Sequence, residues 1–409
     1  MKVLLFSFVW LCISLFGAGQ KIGARKVAAL QEEPPVIDIA PLVSPNQHTS
    51  AEIQSVELAI LQASNTWGFF QVLNHGIAFE LQQELMDQMK LFFHSPQEVK
   101  YTIRRTENNS RGFADDELTK RLKDVKEIVD IGQIPYDDIS PEALSNQLLD
   151  GINQWPNTEV YPFLNEFKPT TERYYNACLS LSRILANALS SSIPCANATY
   201  FENAFNRHSS FLRLNYYPAL TDGVDAGAVN AVENDVGSGD VPKRLGVSRH
   251  TDAGALTVLL QDWNEQITSG LEVYSGSKED SGDGEWVPVR PVPGSLTINT
   301  GDMMQVWSNG VLKAPEHRVR PTIDPKLVRY SAPFFYNPNY DAIVRPLALD
   351  CSLNSVVDPA GVPLPAAGNA RASNYAPIRW GDYRNMRFQG DFKDVGEEVQ
   401  IEHFTAAAT

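Results

Sequence analysis

Beyond Pro194 the sequence breaks into short runs of β-branched, aromatic and aliphatic residues, each closed by glycine, proline, asparagine or aspartate. Residues 211–217, 256–261, 270–274, 286–289, 295–299, 303–307 and 330–335 all have this form. Runs of this length suit strands better than helices, and strands that follow one another so closely predict a closed or double-sheet β structure.

The first half has a different texture. Residues 34–39, Pro-Pro-Val-Ile-Asp-Ile, give a short apolar alternation after a proline stop, which predicts an early strand. Ile53, Val56, Ala59, Ile60 and Ala63 recur at the helical period, so an amphipathic helix is expected over 52–66. The aromatic and β-branched run 67–73 ends at the turn signal Asn74-His75-Gly76, and a second helix is expected over 79–93. Residues 107–150 read as polar and mixed. A long helix is expected over 171–192, with Leu181, Leu185 and Leu189 on one face. Residues 221–240 and 278–284 read as surface loops, 359–372 as a flexible Pro/Ala/Gly passage, and 383–404 as a return to helical character.

The chain has 409 residues, 43% of them hydrophobic, the composition of a globular protein able to bury a sizeable core. Its 34 basic residues face 49 acidic ones, for a net charge of −15. That balance argues against a phosphate-backbone binder, so no nucleic acid partner is expected. Cys12, Cys178, Cys195 and Cys351 form no CxxC pair and imply no disulfide framework.

Lys2 precedes an apolar run over 3–16 and the small residues Gly17, Ala18 and Gly19, the layout of a secretory signal peptide over residues 1–19. A membrane anchor fits less well, because the run falls short of the ~20 residues that span a bilayer. The protein is therefore expected in the secretory pathway or outside the cell, with no stable membrane association after cleavage. Lys21, Arg25 and Lys26, with no acid before Glu32, make 20–33 either the start of a transit peptide in a two-part organelle address or a plain leader. The sequons at Asn108 and Asn197 matter only if the chain enters the secretory lumen.

His250-Thr251-Asp252 puts an imidazole and a carboxylate two residues apart, so an extended backbone presents both on one face. His317 can add a third ligand if its strand returns beside the first. Two histidines and one carboxylate leave coordination positions open, the arrangement suited to non-haem Fe(II) and O2 chemistry. Taken alone, the HxD pattern is short enough to be an incidental core or surface histidine beside an acid. Twelve residues after His317, Arg329 and Ser331 share one strand face, and a guanidinium beside a hydroxyl suits a carboxylate.

With these motifs in their order, the sequence resembles the iron(II)/2-oxoglutarate-dependent dioxygenases of the isopenicillin N synthase-like group. The likeness begins at Pro35-Val36-Ile37-Asp38 and runs through the segments 67–76 and 110–113. It continues through 212–218, 245–252, 256–262, 270–273, 299–302 and 307–310 to His317-Arg318-Val319 and Arg329-Tyr330-Ser331. The resemblance implies a mixed α+β fold with a double-stranded β-helix, or jelly-roll, core and flanking helices. It also implies His250, Asp252 and His317 as Fe(II) ligands and Arg329 with Ser331 as the grip on the distal carboxylate of 2-oxoglutarate. Tyr217 and Asn215 match positions that assist cosubstrate binding. O2 is the oxidant, ascorbate is a candidate reductant, and a small-molecule substrate is oxidised, by default hydroxylated, with release of succinate and CO2. Most members of the group are soluble cytoplasmic enzymes, so the leader departs from the pattern.

The expected organisation is a signal peptide over 1–19, a leader over 20–33, an N-terminal helix/strand module over 34–150 and a helical connection over 151–206. A jelly-roll domain follows over 207–345, then a C-terminal extension over 346–409 that packs on the core of a monomer. Two alternatives share this scaffold: an oxidase that needs no 2-oxoglutarate, and a non-catalytic binding protein. Gly301-Asp302 and His75 read as turn residues with packing roles, Trp307, Phe334 and Phe335 as barrel packing with an aromatic available to substrate, and 221–240 with 108–120 as the cavity mouth. The acidic runs Asp115-Asp116-Glu117 and Glu397-Glu398 read as solvated faces.

Overall fold

The computed structural model describes residues 33–107, 109–119, 122–138, 151–192, 200–218, 246–263, 270–276, 284–320, 327–346, 374–393 and 401–405. The expected signal peptide, nearly all of the leader, the insertion 221–240, most of 278–284, the passage 359–372, Asn197 and Glu397-Glu398 lie outside the described residues.

The N-terminal half runs β1 (Val36–Asp38), α1 (Ala40–Val43), α2 (Ser50–Thr66), β2 (Phe69–Leu73), α3 (Phe79–Phe93), α4 (Gln97–Tyr101), β3 (Gly112–Ala114), β4 (Leu118–Thr119), β5 (Leu122–Lys123), β6 (Glu127–Gly132), α5 (Phe167–Ser192) and α6 (Tyr200–Phe205). The second half continues with β7 (Phe211–Tyr217), β8 (Val247–His250), β9 (Leu256–Gln261), β10 (Leu271–Tyr274), β11 (Trp286–Pro288), β12 (Leu296–Thr300), α7 (Asp302–Trp307), β13 (His317–Val319), β14 (Arg329–Tyr336), β15 (Ile343–Val344), β16 (Ile378–Arg379) and α8 (Trp380–Lys393). One sheet has the order β1-β2-β12-β9-β14-β7-β6-β3 and a second the order β11-β10-β13-β8. The four central strands β12, β9, β14 and β7, with the four of the smaller sheet, form the expected jelly roll.

Strand alternation decides what lies on each side of the larger sheet. Tyr330, Ala332, Phe334 and Tyr336 of β14 enter the apolar core, while Arg329, Ser331, Pro333 and Phe335 line a cavity. On β7, Leu212 and Leu214 join the core and Phe211, Arg213, Asn215 and Tyr217 line the same cavity. The core side is covered by α5, which buries Tyr174, Cys178, Leu181 and Leu185 at three- and four-residue spacing. Tyr175 meets Phe334 edge-on, with ring centroids 5.1 Å apart. A capping box between Thr49 and Glu52 starts α2 at Ser50, satisfying amides at the helix start.

Two expectations are corrected. Residues 303–307, expected as a strand, form α7. Gly301 leaves β12 as the extended N-cap, and Asp302 places its charge at the positive end of the helix. Met303, Met304, Val306 and Trp307 are all buried, so the segment is apolar on every side and its period cannot separate helix from strand. Residues 107–150, which read as polar and mixed, contain β6 and β3, which extend the large sheet beyond β7. Two of the charges that give this stretch its polar look are matched from outside it, Asp130 by Arg213 and Glu127 by Lys100, while Lys126 pairs with Glu117 and Asp124 within it.

Candidate metal centre and substrate cavity

The smaller sheet brings the two histidines together. β13 runs antiparallel to β8 with His317 directly opposite His250, and their ring centroids lie 4.3 Å apart. Asp252 follows β8 by two residues and sends Oδ1 to within 3.6 Å of His250 Nε2 and 3.5 Å of His317 Nε2. The ligand atoms of all three lie within 4.8 Å of one another.

The remaining polar atoms of these groups are already engaged. His250 Nδ1 lies 2.7 Å from the Ser248 carbonyl and His317 Nδ1 lies 3.1 Å from that of Pro315. Each Nδ1–H can therefore donate to backbone, which leaves the Nε2 lone pair for a metal. Asp252 Oδ2 accepts from Thr257 Oγ1 at 2.5 Å and Asn299 Nδ2 at 2.7 Å, so Oδ1 is the oxygen left to the site. Backbone amides hold the same loop from behind: Asp302 N–H donates to the Asp252 carbonyl at 2.8 Å and Met303 N–H to that of Gly254 at 3.0 Å. Gly301-Asp302 thus has the expected packing role.

Electrostatics favour the ligand forms at two of the three groups. Burial, helped by the charge of His317, pushes His250 down to about 3, so its imidazole is neutral. Burial works to raise Asp252, but His317, His250 and the Asn299 amide outweigh it and keep the carboxylate ionised. Burial lowers His317, yet Asp252 beside it raises the net value, so a metal arriving here displaces a proton from that ring.

The cosubstrate residues lie on the larger sheet. Arg329 pairs across β14 and β7 with Tyr217, and Ser331 with Asn215. Arg329 is 3% exposed and donates to Ser331 Oγ at 3.3 Å and Gln261 Oε1 at 3.4 Å, with Tyr217 below its guanidinium at 4.9 Å. Among the described residues no carboxylate pairs with it. A buried guanidinium with only neutral partners fits a ligand that supplies a carboxylate. Asn215 Nδ2 donates to Ser331 Oγ at 3.3 Å, and its buried Oδ1 has no hydrogen-bond partner.

All seven predicted residues line one cavity of about 240 Å³. Other residues of the site escaped the sequence reading. Thr257, Asn299 and Gln261 orient the predicted groups, and Trp380, Arg384 and Arg387 of α8 close the wall from the C-terminal extension. Nothing in local spacing marks them. The reading of Asp115-Asp116-Glu117 as a solvated face is corrected at Glu117, which is 4% exposed and lines the cavity. It pairs with Arg105 at 3.0 Å, Lys126 at 3.1 Å and Arg213 at 2.8 Å. His75 is a structural residue as expected: its Nδ1 accepts from Ile77 N–H and its Nε2 meets the Gly294 carbonyl, both at 3.2 Å.

Comparison with known proteins agrees with this geometry. Residues 208–338 match the sequence model of the 2OG-Fe(II) oxygenase superfamily, and 34–158 match that of the non-haem dioxygenase in morphine synthesis N-terminal domain. The chain is 34% identical over 322 residues to the 2-oxoglutarate-dependent dioxygenase citB of Monascus ruber, covering 76% of this chain and 87% of that protein. A full-length Neurospora crassa protein, solved in complex with alpha-KG and thymine, has a similar fold at 23% identity, with a TM-score of 0.65 over 87% of this chain and 96% of that one. JOX2 in complex with 2OG, Fe and JA is 26% identical, with a TM-score of 0.59 over 86% of this chain and 84% of that one.

Proposed function

Because the chain belongs to the 2OG-Fe(II) oxygenase superfamily, we propose that His250, Asp252 and His317 are its iron ligands and that Arg329 with Ser331 anchors 2-oxoglutarate. The protein is a 2-oxoglutarate-dependent dioxygenase, an oxidoreductase that uses Fe(II), 2-oxoglutarate and O2. One observation carries the residue assignment: two Nε2 atoms and one Oδ1 converge while every other polar atom of the three groups is held by a neutral neighbour.

When bound, iron(II) and 2-oxoglutarate supply activation of O2 coupled to oxidative decarboxylation of the cosubstrate to succinate and CO2. The chain's own residues do the positioning. Arg329 neutralises the distal carboxylate, Ser331 adds an O–H donor, and Asn215 and Tyr217 fix the shape of that end of the cavity. Phe69 packs edge-on against His317 at 5.3 Å, and Val247, Leu259 and Val319 give the cavity apolar walls that exclude water. Hydroxylation of a C–H bond of a small organic molecule is the outcome we assign.

His250→Ala should lose both bound iron and substrate-dependent succinate release. A well-folded His250→Ala protein that keeps both removes this residue from the metal. For the leader, we propose entry into the secretory pathway with cleavage after Gly19, as a monomer free of the membrane. Among the described residues no helix is long and apolar enough to cross a bilayer. Mass spectrometry of the mature N-terminus checks this, and an intact Met1 would refute it.

A further inference from the structure

Asn215 sits one cross-strand pair in from the arginine anchor. The β7–β14 register sets Tyr217 against Arg329 and Asn215 against Ser331, and two residues of strand separate these pairs by ~7 Å. All four residues line the cavity. Asn215 is 4% exposed, and its two amide atoms differ: Nδ2 donates to Ser331 Oγ at 3.3 Å, whereas Oδ1 is buried and has no hydrogen-bond partner.

The surrounding bonds decide which way this amide faces. Ser331 Oγ accepts from Arg329 Nη1 and from Asn215 Nδ2, both at 3.3 Å, so its lone pairs are used and its hydrogen is left to donate. With the amide reversed, that hydrogen would turn to Oδ1 and Ser331 would have none for the cosubstrate carboxylate. The orientation that suits the anchor is therefore the one that presents an acceptor to the cavity. The cosubstrate 2-oxoglutarate, ionised at both carboxyls, offers acceptors only and cannot pair with it. Thr251 Oγ1, in the loop between His250 and Asp252, is also buried without a partner in a residue that lines the cavity, but a hydroxyl can donate or accept and so selects less sharply. A cationic donor finds no counter-charge here. Glu117 is shared by Arg105, Lys126 and Arg213, and Asp252 belongs to the metal centre, so among the described lining residues no carboxylate is left for an ammonium.

We infer that the primary substrate is a small molecule carrying a neutral O–H or N–H group, of alcohol, phenol or amide type, and that Asn215 Oδ1 accepts its hydrogen bond. A ligand that displaces solvent here without supplying a donor leaves the oxygen buried and unpaired, so the residue selects for the group as well as orienting the molecule. Asn215 then serves both ligands, steadying the cosubstrate's hydroxyl partner through Nδ2 and the substrate through Oδ1. The inference rests on the dioxygenase reading above, which assigns Ser331 to the cosubstrate.

The test is thermal melting of the iron-loaded full chain under argon with 2-oxoglutarate present. Phenol, benzamide and cyclohexanol are compared with fluorobenzene, acetophenone and fluorocyclohexane, partners of nearly the same shape that lack the donor. At least one donor should bind with an apparent Kd ~5-fold or more below its partner's, the worth of one neutral hydrogen bond. Asn215→Leu, of similar shape, should abolish that preference in a protein that still responds to 2-oxoglutarate. The absence of any donor preference in the wild type, or a preference that survives in folded Asn215→Leu, overturns the inference. Where Asn215→Leu fails to fold, a crystal structure of the wild-type complex with the preferred donor decides: its O–H or N–H lies within hydrogen-bond distance of Asn215 Oδ1, or the inference falls. A wild-type chain that 2-oxoglutarate itself does not stabilise overturns the dioxygenase reading instead.

Discussion

Arg213, with 15% of its side chain exposed, and the buried Arg329 lie on neighbouring strands and line the same cavity, yet they are held in opposite ways. Arg213 donates twice to Asp130 and once to Glu117, each at 2.8 Å. Among the described residues, Arg329 meets only a hydroxyl, an amide oxygen and a ring face, at 3.3, 3.4 and 4.9 Å. Burial strips the guanidinium of most of its hydration at Arg213 and of nearly all of it at Arg329. For Arg213 the fold supplies the compensation, and for Arg329 a ligand must. The cluster around Glu117 is denser in charge than the proposed site, so charge density alone does not mark function. What marks it is compensation left incomplete toward a shared cavity, as at Arg329 and at the three atoms of the metal centre.

The largest effect that sharpens this contrast is expected at the metal centre. Asp252→Ala deletes Oδ1 and strips Thr257 and Asn299 of their acceptor. Substrate-dependent succinate release should fall well beyond the ~100-fold upper range of changes outside a ligand set. Asn299→Ala, which only loosens the carboxylate, should stay within that range, at ~10–100-fold. Succinate assays with measured iron content separate the two, and equal losses would mean that Asn299 is as essential as the ligand it holds.

Next in size is the contrast between the two arginines. Arg213→Gln leaves Asp130 and Glu117 buried with a charge missing, and removal of one partner from such a cluster costs about 3–5 kcal/mol. Arg329→Gln removes no internal ion pair, so its melting temperature should stay near wild type. Its KM for 2-oxoglutarate should rise ~100-fold, the equivalent of about 3 kcal/mol of charge-assisted hydrogen bonding. Melting curves and cosubstrate titrations on both variants decide the matter. A stable Arg213→Gln or an unfolded Arg329→Gln would break the distinction.

Local pattern made much of this architecture legible. Residues 79–93 form α3 at the expected bounds, and alternation in β14 separates a cavity face from a core face within eight residues. His250, Asp252 and His317 were found through their spacing and the resemblance, because two of them sit within one extended segment. Glu117 was misread because its burial depends on Arg213, 96 residues later, and no window of sequence contains both. The 303–307 segment failed for the opposite reason: it is buried all round, so no periodicity distinguishes its form. Thr257, Asn299 and Gln261 are ordinary strand residues until the sheet places them against an ionised group.

A smaller effect follows from pH. Burial raises the Glu117 carboxyl, but Arg213, Lys126 and Arg105 outweigh it and bring it down to about 2, from 4.5 for an ordinary glutamate. A lowered carboxylate adds stability that is complete above the unfolded value and is lost as pH falls toward the folded one. The contribution from Glu117 should therefore hold at neutral pH and fade from ~4.5 downward. Glu117→Gln should be less stable at pH 7 and should lose less than wild type between pH 5 and 3. Chemical denaturation across that range checks the sign, and parallel curves would show that Glu117 is not held low by its neighbours.

The smallest expected change tests how far the C-terminal extension reaches into the metal centre. Tyr383 of α8 is fully buried and donates to Asp302 Oδ2 at 2.6 Å, while the Asp302 amide holds the Asp252 carbonyl. Tyr383→Phe keeps the ring and removes one hydrogen bond to a charged group, at a cost of about 1.5–3 kcal/mol if the folded state does not relax. If the bond also steadies the ligand loop, kcat should drop a few-fold while KM for 2-oxoglutarate stays constant, since Arg329 lies on the other sheet. A stability loss with unchanged kcat would confine Tyr383 to packing and place the metal loop under the control of the jelly roll alone.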